Sequence, residues 1–115
     1  MSSNFSSFED WKLKLKEESQ DKHTCVLVEG KRDLAKLSSY GVNNIIVLQG
    51  KKYYDVVENI LNNFDKCIIL FDIDKHGEKM FQKFSQMLKA EGIEVNFSYR
   101  DYLKTLNIEE IENLP

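Results

Sequence analysis

The chain is predicted to fold as an α/β protein: a three-layer α/β/α arrangement around a four-stranded parallel sheet. Three observations predict it. Short apolar, β-branched runs ("TCVLV", "NIIVL", "CIILF") recur along the chain and alternate with segments of helical periodicity. The runs carry almost no polar alternation, as expected of strands covered on both faces, and strand–helix alternation implies parallel strands wound right-handedly. Glycines stand where helical segments have to stop (Gly41, Gly92).

Each element has its own justification. Ser6 and Glu9 have capping-box spacing, and Phe8, Trp11 and Leu15 then share one face, so an N-terminal helix of about ten residues is expected, its lysines in solvent. Residues 1–22 form this helical extension and residues 23–115 the main domain. Trp11 and the helix have two homes open to them, this domain or a second copy in a homodimer. "TCVLV" (Thr24 to Val28) is the first strand, ending at Glu29-Gly30. "KRDLAKLSSY" reads as a helix closed by Gly41, and "NIIVL" (Asn44 to Leu48) as the second strand, ending at Gln49-Gly50. Tyr54, Val57, Ile60, Leu61 and Phe64 have helical spacing, and "CIILF" (Cys67 to Phe71) is the third strand. Met80, Phe81, Phe84, Met87 and Leu88 share the face of a longer helix. "IEVNF" alternates and is therefore expected at a sheet edge, and "NIEEIENLP" reads as a short helical turn packing back through Ile108, Ile111 and Leu114.

At 115 residues, 42% hydrophobic and 30% charged, the chain is one ordinary globular domain, large enough to bury a core without disulfides. No window approaches the roughly 18 apolar residues that cross a membrane, and "MSSNFSSFED" has no basic start followed by an apolar stretch, so a cytoplasmic protein without a membrane partner is expected. Cys25 and Cys67 lie within apolar runs, away from any Cys/His cluster, and read as buried thiols. The net charge of −3 excludes a general polyanion binder, so any nucleic-acid contact rests on a local patch.

In open parallel sheets, ligands bind at the carboxyl ends of the strands, where strand order reverses. The unusual residues stand at those ends: Glu29 after strand one, Asp72 and Asp74 ("LFDIDKHGE") after strand three. If those strands are neighbours the three carboxylates converge, and Asp33 points to the same spot. Carboxylates that close raise one another's pKa or take up a cation. Hard oxygen ligands suit Mg²⁺ or Mn²⁺, and Mg²⁺ keeps several waters and takes phosphate as a partner. The chemistry that follows is phosphoryl transfer or phosphodiester cleavage. The alternative for either aspartate is a helix cap on "GEKMFQKF". Gly30 and Gly77 would let a phosphate approach the backbone. Lys31 and Arg32, Lys51 and Lys52, and Lys75, His76 and Lys79 follow the three strands and would form a basic rim around the acidic centre. Tyr53, Tyr54 and Tyr99 could stack on bases or attack a phosphate, and such tyrosines more often pack in the fold.

"VLVEGKRD" followed by "IILFDIDKHGE" resembles the toprim domain shared by topoisomerases, DnaG-type primases, some nucleases and recombination proteins, a Rossmann-like fold. The family's first acidic position falls on Glu29 and its aspartate pair on Asp72 and Asp74; Gly30, Lys31, Asp33, Gly77 and Glu78 also match. The resemblance covers roughly residues 24–97, and the size and ending look closest to small stand-alone archaeal toprim proteins. It implies Mg²⁺ held by Asp72 and Asp74, with Glu29 as a further ligand or a general acid or base. Lys31, Arg32, Asp33, Lys52, Lys75, His76 and Lys79 would then lie toward a nucleic-acid phosphate. The second domain of a topoisomerase and the zinc module of a primase do not fit in 115 residues, so a lone nuclease or ribonuclease-like site is expected. The alternative is a non-catalytic nucleic-acid-binding subunit of a larger RNA or DNA complex. A response-regulator or sugar-phosphatase reading fails, because each places its acidic motif after the first strand.

Overall fold

The computed structural model describes residues 5–115. Four parallel strands form one sheet in the order β2-β1-β3-β4: β1 Thr24–Val28, β2 Ile45–Val47, β3 Lys66–Ile69 and β4 Glu94–Asn96. Every residue of β1 is buried, which accounts for its lack of alternation. The alternating β4 is an edge strand, as its sequence predicts.

Successive side chains of β1 and β3 go to opposite faces and build two cores. Cys25, Leu27, Cys67, Ile69 and Phe71 pack with Val56 and Ile60 of α3 (Tyr53–Asn63) and with Met80, Phe84 and Leu88 of α4 (Lys75–Ala90). Val26, Val28, Ile68 and Leu70 pack on the other face with Trp11 and Leu15 of α1 (Phe8–Glu18) and Leu37 of α2 (Lys31–Ser39). That second core is closed by Tyr99 and Leu103 of α5 (Ser98–Lys104) and by Ile111 and Leu114 around a 3₁₀ turn, Ile111–Asn113. Both cysteines are free and buried.

Three expectations need correction, and one open choice, that of Tyr99, is settled. The N-cap of α1 is Ser7, whose Oγ accepts from the Asp10 amide at 3.1 Å, while Asp10 Oδ2 accepts from the Ser6 amide at 3.0 Å. The box slips by one residue because Asp10 reaches back over the helix start, whereas Glu9 turns outward to Lys12. On α3 the inward face is centred on Val56 and Ile60, which leaves Tyr54 76% exposed. Of the roles open to Tyr99, packing is the one it takes: it is buried, with its hydroxyl donating to Glu18 Oε1 at 2.8 Å. Finally, α5 has no counterpart in the sequence-based reading. Asn96 Oδ1 starts it by accepting from the Ser98 amide and hydroxyl at 2.8 and 2.7 Å, and packing holds a segment too short to be helical alone. Trp11 finds its place within the same chain, its Nε1 donating to the Tyr99 carbonyl at 3.0 Å.

Candidate metal and phosphate site

The sheet order reverses at β1, because β2 lies on one side of it and β3 on the other. The crevice beyond that point is where a ligand meets the fewest obstructing connections. Glu29 leaves β1 there and Asp72 leaves β3, and the two meet: the Asp72 amide donates to Glu29 Oε2 at 2.7 Å. The bond uses one carboxylate oxygen of Glu29 and leaves Oε1 facing His76 Nε2 at 3.8 Å. Asp72 Oδ1 accepts from the Ile111 amide at 3.0 Å, and among the described residues its Oδ2 accepts no hydrogen bond from the protein.

The cavity here measures about 600 Å³, within the roughly 300–1,000 Å³ of small-molecule sites. Glu29, Lys31, Arg32, Asp33, Gln49, Asp72 and Glu112 are among the residues that line it. Its electrostatics are those of a crowded anion site. Burial raises the Asp72 carboxyl to about 6, partly offset by the Ile111 amide and reinforced by the charges of Asp33, Asp74 and Glu110. Burial likewise raises Glu29 and Asp33, against the amide bonds from Asp72 and Gly30 that pull the other way. The cavity thus gathers half-buried carboxylates that favour a proton or a cation, with Lys31 and Arg32 on its wall.

Asp74 serves as the N-cap of α4, its Oδ1 accepting from the Gly77 amide at 2.7 Å. Asp33 is buried and reaches back to the Gly30 amide at 3.0 Å at the start of α2. Gly77 has a reason other than phosphate access: a Cβ at that position would lie 1.9 Å from the Asp72 carbonyl oxygen, so the first turn of α4 approaches the Asp72 backbone through the missing side chain. Lys31 and Arg32 reach the cavity wall, with Arg32 Nη1 3.5 Å from Glu112. Lys52, Lys75 and Lys79 are exposed at or near the starts of α3 and α4 and are not among the residues lining the cavity. Tyr53 packs against Phe84 with its hydroxyl on Met80 Sδ.

Two features were not legible in the sequence. A C-terminal strap crosses the site: the Ile73 amide donates to the Glu109 carbonyl at 2.6 Å, Ile111 binds Asp72, and Glu112 joins the cavity wall. Arg100, 1% exposed, lies behind Asp72 and donates to the carbonyls of Phe71 and Asp72. The "NIEEIENLP" turn packs back through Ile111 and Leu114 as its sequence predicts, but neither its contact with Asp72 nor the arginine of "NFSYRD" is marked by a local pattern.

Among the described residues, no three His, Cys, Asp or Glu side chains gather closely enough to cage a metal ion. The donor set instead fits a hard cation that keeps most of its water. Mg²⁺ binds through one or two carboxylates plus phosphate, and Glu29 Oε1 and Asp72 Oδ2 are such oxygens, in a cavity whose anions already hold protons more tightly than usual.

A family model described as the Toprim domain matches residues 23–99. A UPF0292 protein of Pyrococcus horikoshii is 30% identical over 89 residues, 77% of this chain and 67% of that protein. An Aquifex aeolicus protein of solved structure superposes with a TM-score of 0.88 at 38% identity, covering 95% of this chain and 99% of that one. The zinc-binding and RNA polymerase domains of the Aquifex aeolicus primase superpose with a TM-score of 0.59 at 25% identity, over 79% of this chain. This chain spans 25% of that primase chain. Among the described residues, no helix is long and apolar enough to cross a membrane.

Proposed function

The chain belongs to the toprim domain family, and from that premise we propose that it performs Mg²⁺-dependent chemistry on nucleic-acid phosphodiesters, as a small nuclease or ribonuclease. The observation that carries this reading is the meeting of Glu29 and Asp72 at the switch point, within a cavity that also presents Lys31 and Arg32. Glu29 Oε1 and Asp72 Oδ2 would hold the ion, with Asp74 beside them at the head of α4. An Mg²⁺ ion held there would supply positive charge to polarise a phosphate oxygen.

The remaining work falls to the chain's own groups. In place of holding the ion, Glu29, raised by burial and with Oε1 3.8 Å from His76 Nε2, could take a proton from an attacking hydroxyl or water. Lys31 and Arg32 hold the phosphate that is cut, and Lys52, Lys75, His76 and Lys79 meet flanking phosphates as a strand crosses the edge. Asp33 keeps the Gly30 turn in place by capping its amide.

The test begins with nucleic acid crosslinked to the protein in cells, recovered and sequenced. The recovered RNA or DNA is then incubated with purified protein and Mg²⁺ or Mn²⁺. Cleavage that needs the metal and disappears in folded Glu29→Gln and Asp72→Asn supports the reading. Cleavage that survives both substitutions overturns it. Salt-sensitive binding without turnover would make the chain a binding subunit of a larger complex instead.

A further inference from the structure

Arg100 is an always-charged group buried to 1% exposure, and a guanidinium is kept there only if its donors are satisfied. Its Nε donates to the Phe71 carbonyl at 3.0 Å, its Nη2 to the Asp72 carbonyl at 2.8 Å, and its Nη1 to Glu78 Oε1 at 2.7 Å. Its flat face lies 5.0 Å from the centre of the Phe81 ring. Every one of these partners belongs to the segment that carries the aspartate pair or to the first two turns of the helix that follows it.

The two carbonyls are informative together. Along a strand, successive carbonyls point to opposite sides, so one guanidinium cannot take both. Accepting from the same fork requires backbone outside strand geometry at Phe71 and Asp72, and β3 has ended before them, at Ile69. At Asp72 the amide turns to Glu29, the carbonyl turns to Arg100, and the carbonyl oxygen fills the space that a Cβ on Gly77 would need. With both ends of the residue fixed, the direction of its Cα–Cβ bond is fixed too, and the carboxylate on it takes the Ile111 amide at the cavity wall. We propose that Arg100 is a positioning residue of the toprim site: paired with Glu78, it sets the backbone of the Asp72 turn and so aims the Asp72 carboxylate. Arg100 is not among the residues lining the cavity, and it acts through Asp72 rather than on a substrate. Glu78 accordingly serves Arg100 and is not a ligand of the site. The proposal rests on the reading of Asp72 as a functional carboxylate, but its geometric part can be measured without any turnover.

The experiment compares wild type with Arg100→Lys and Glu78→Gln. A lysine keeps the charge but cannot span two carbonyls and a carboxylate. Three readouts are taken on protein shown to be folded by circular dichroism: amide hydrogen exchange at Asp72 and Ile111, Mn²⁺ affinity by electron paramagnetic resonance, and kcat and KM on the recovered nucleic acid. In Arg100→Lys, Mn²⁺ affinity and kcat should fall about 10–100-fold, the range for groups that orient a ligand, while KM stays within about twofold because the basic rim is untouched. Exchange at Asp72 and Ile111 should quicken at least about tenfold while β1 amides stay protected. If wild type neither binds Mn²⁺ nor turns over, the metal reading fails and the exchange pattern alone decides the role of Arg100. Unchanged exchange at Asp72 and Ile111 overturns the proposal, as does an Mn²⁺ affinity equal to that of a wild type that binds. If Arg100→Lys does not fold, Glu78→Gln at its half-exposed position carries the same test, with faster Asp72 exchange expected and unchanged exchange overturning the proposal.

Discussion

Replacing Asp72 by asparagine should make the fold more stable at neutral pH while removing its function. The carboxyl of Asp72 is raised from its ordinary 3.8 to about 6, by burial first and then by the surrounding carboxylates. A folded-state pKa above the unfolded one means that the native protein binds the proton more tightly. Between those two values the native state holds more protons than the unfolded chain, so stability falls as pH climbs through that window. A displacement of that size corresponds to at most about 3 kcal/mol. Asp72 is only half-buried and water screens it, so about 1 kcal/mol is the expected cost of its charge. Asparagine keeps an Oδ1 that can accept from the Ile111 amide, so the substitution removes the charge and preserves the bond. The assay is urea unfolding in metal-free buffer, followed by fluorescence of Trp11, the single tryptophan, which is fully buried. Asp72→Asn should be about 1 kcal/mol more stable than wild type near pH 7.5, with the difference closing toward pH 4. A variant that is less stable near neutrality, or a difference that does not change with pH, would refute the electrostatic account of the site.

Three other outcomes follow from named contacts. Gly77→Ala puts a Cβ 1.9 Å from the Asp72 carbonyl oxygen, so α4 has to shift, and urea unfolding should show a loss of about 2 kcal/mol or more. Ser85 Oγ is buried without a hydrogen-bond partner among the described residues, so Ser85→Ala should raise stability by about 1 kcal/mol in the same assay. Lys31→Ala and Lys75→Ala should each weaken nucleic-acid binding almost equally across sequences and reduce the slope of log K against log salt by about 1. A slope unchanged in Lys75→Ala would remove that lysine, which does not line the cavity, from the contact surface.

The parts legible in the sequence were those decided by local pattern. β1 and β3 declare themselves because no residue of β1 meets water and β3 is buried beyond Lys66. Once they are neighbours, the meeting of Glu29 and Asp72 follows from where the strands end. The illegible parts depend on contacts between residues far apart in the chain. Ile111 reaches Asp72 from 39 positions away, and Arg100 reaches it from 28. A buried arginine also contradicts the apolar pattern by which a helix is recognised, and α5 has one at its centre. Gly77 could be singled out but not explained, because its reason is a backbone packed against it. Chain order placed the lysines near the ends of the strands, whereas among the described residues it is the α2 start that lines the cavity with cations, Lys31 and Arg32.

The account stands on Glu29 and Asp72 forming a place for a hydrated divalent cation. Titration of the full chain with Mn²⁺, read by electron paramagnetic resonance and competed with Mg²⁺, tests that most directly. The account predicts one saturable site per chain, displaced by Mg²⁺ and lost in folded Glu29→Gln and Asp72→Asn. No saturable binding, or binding that both variants retain, would contradict it.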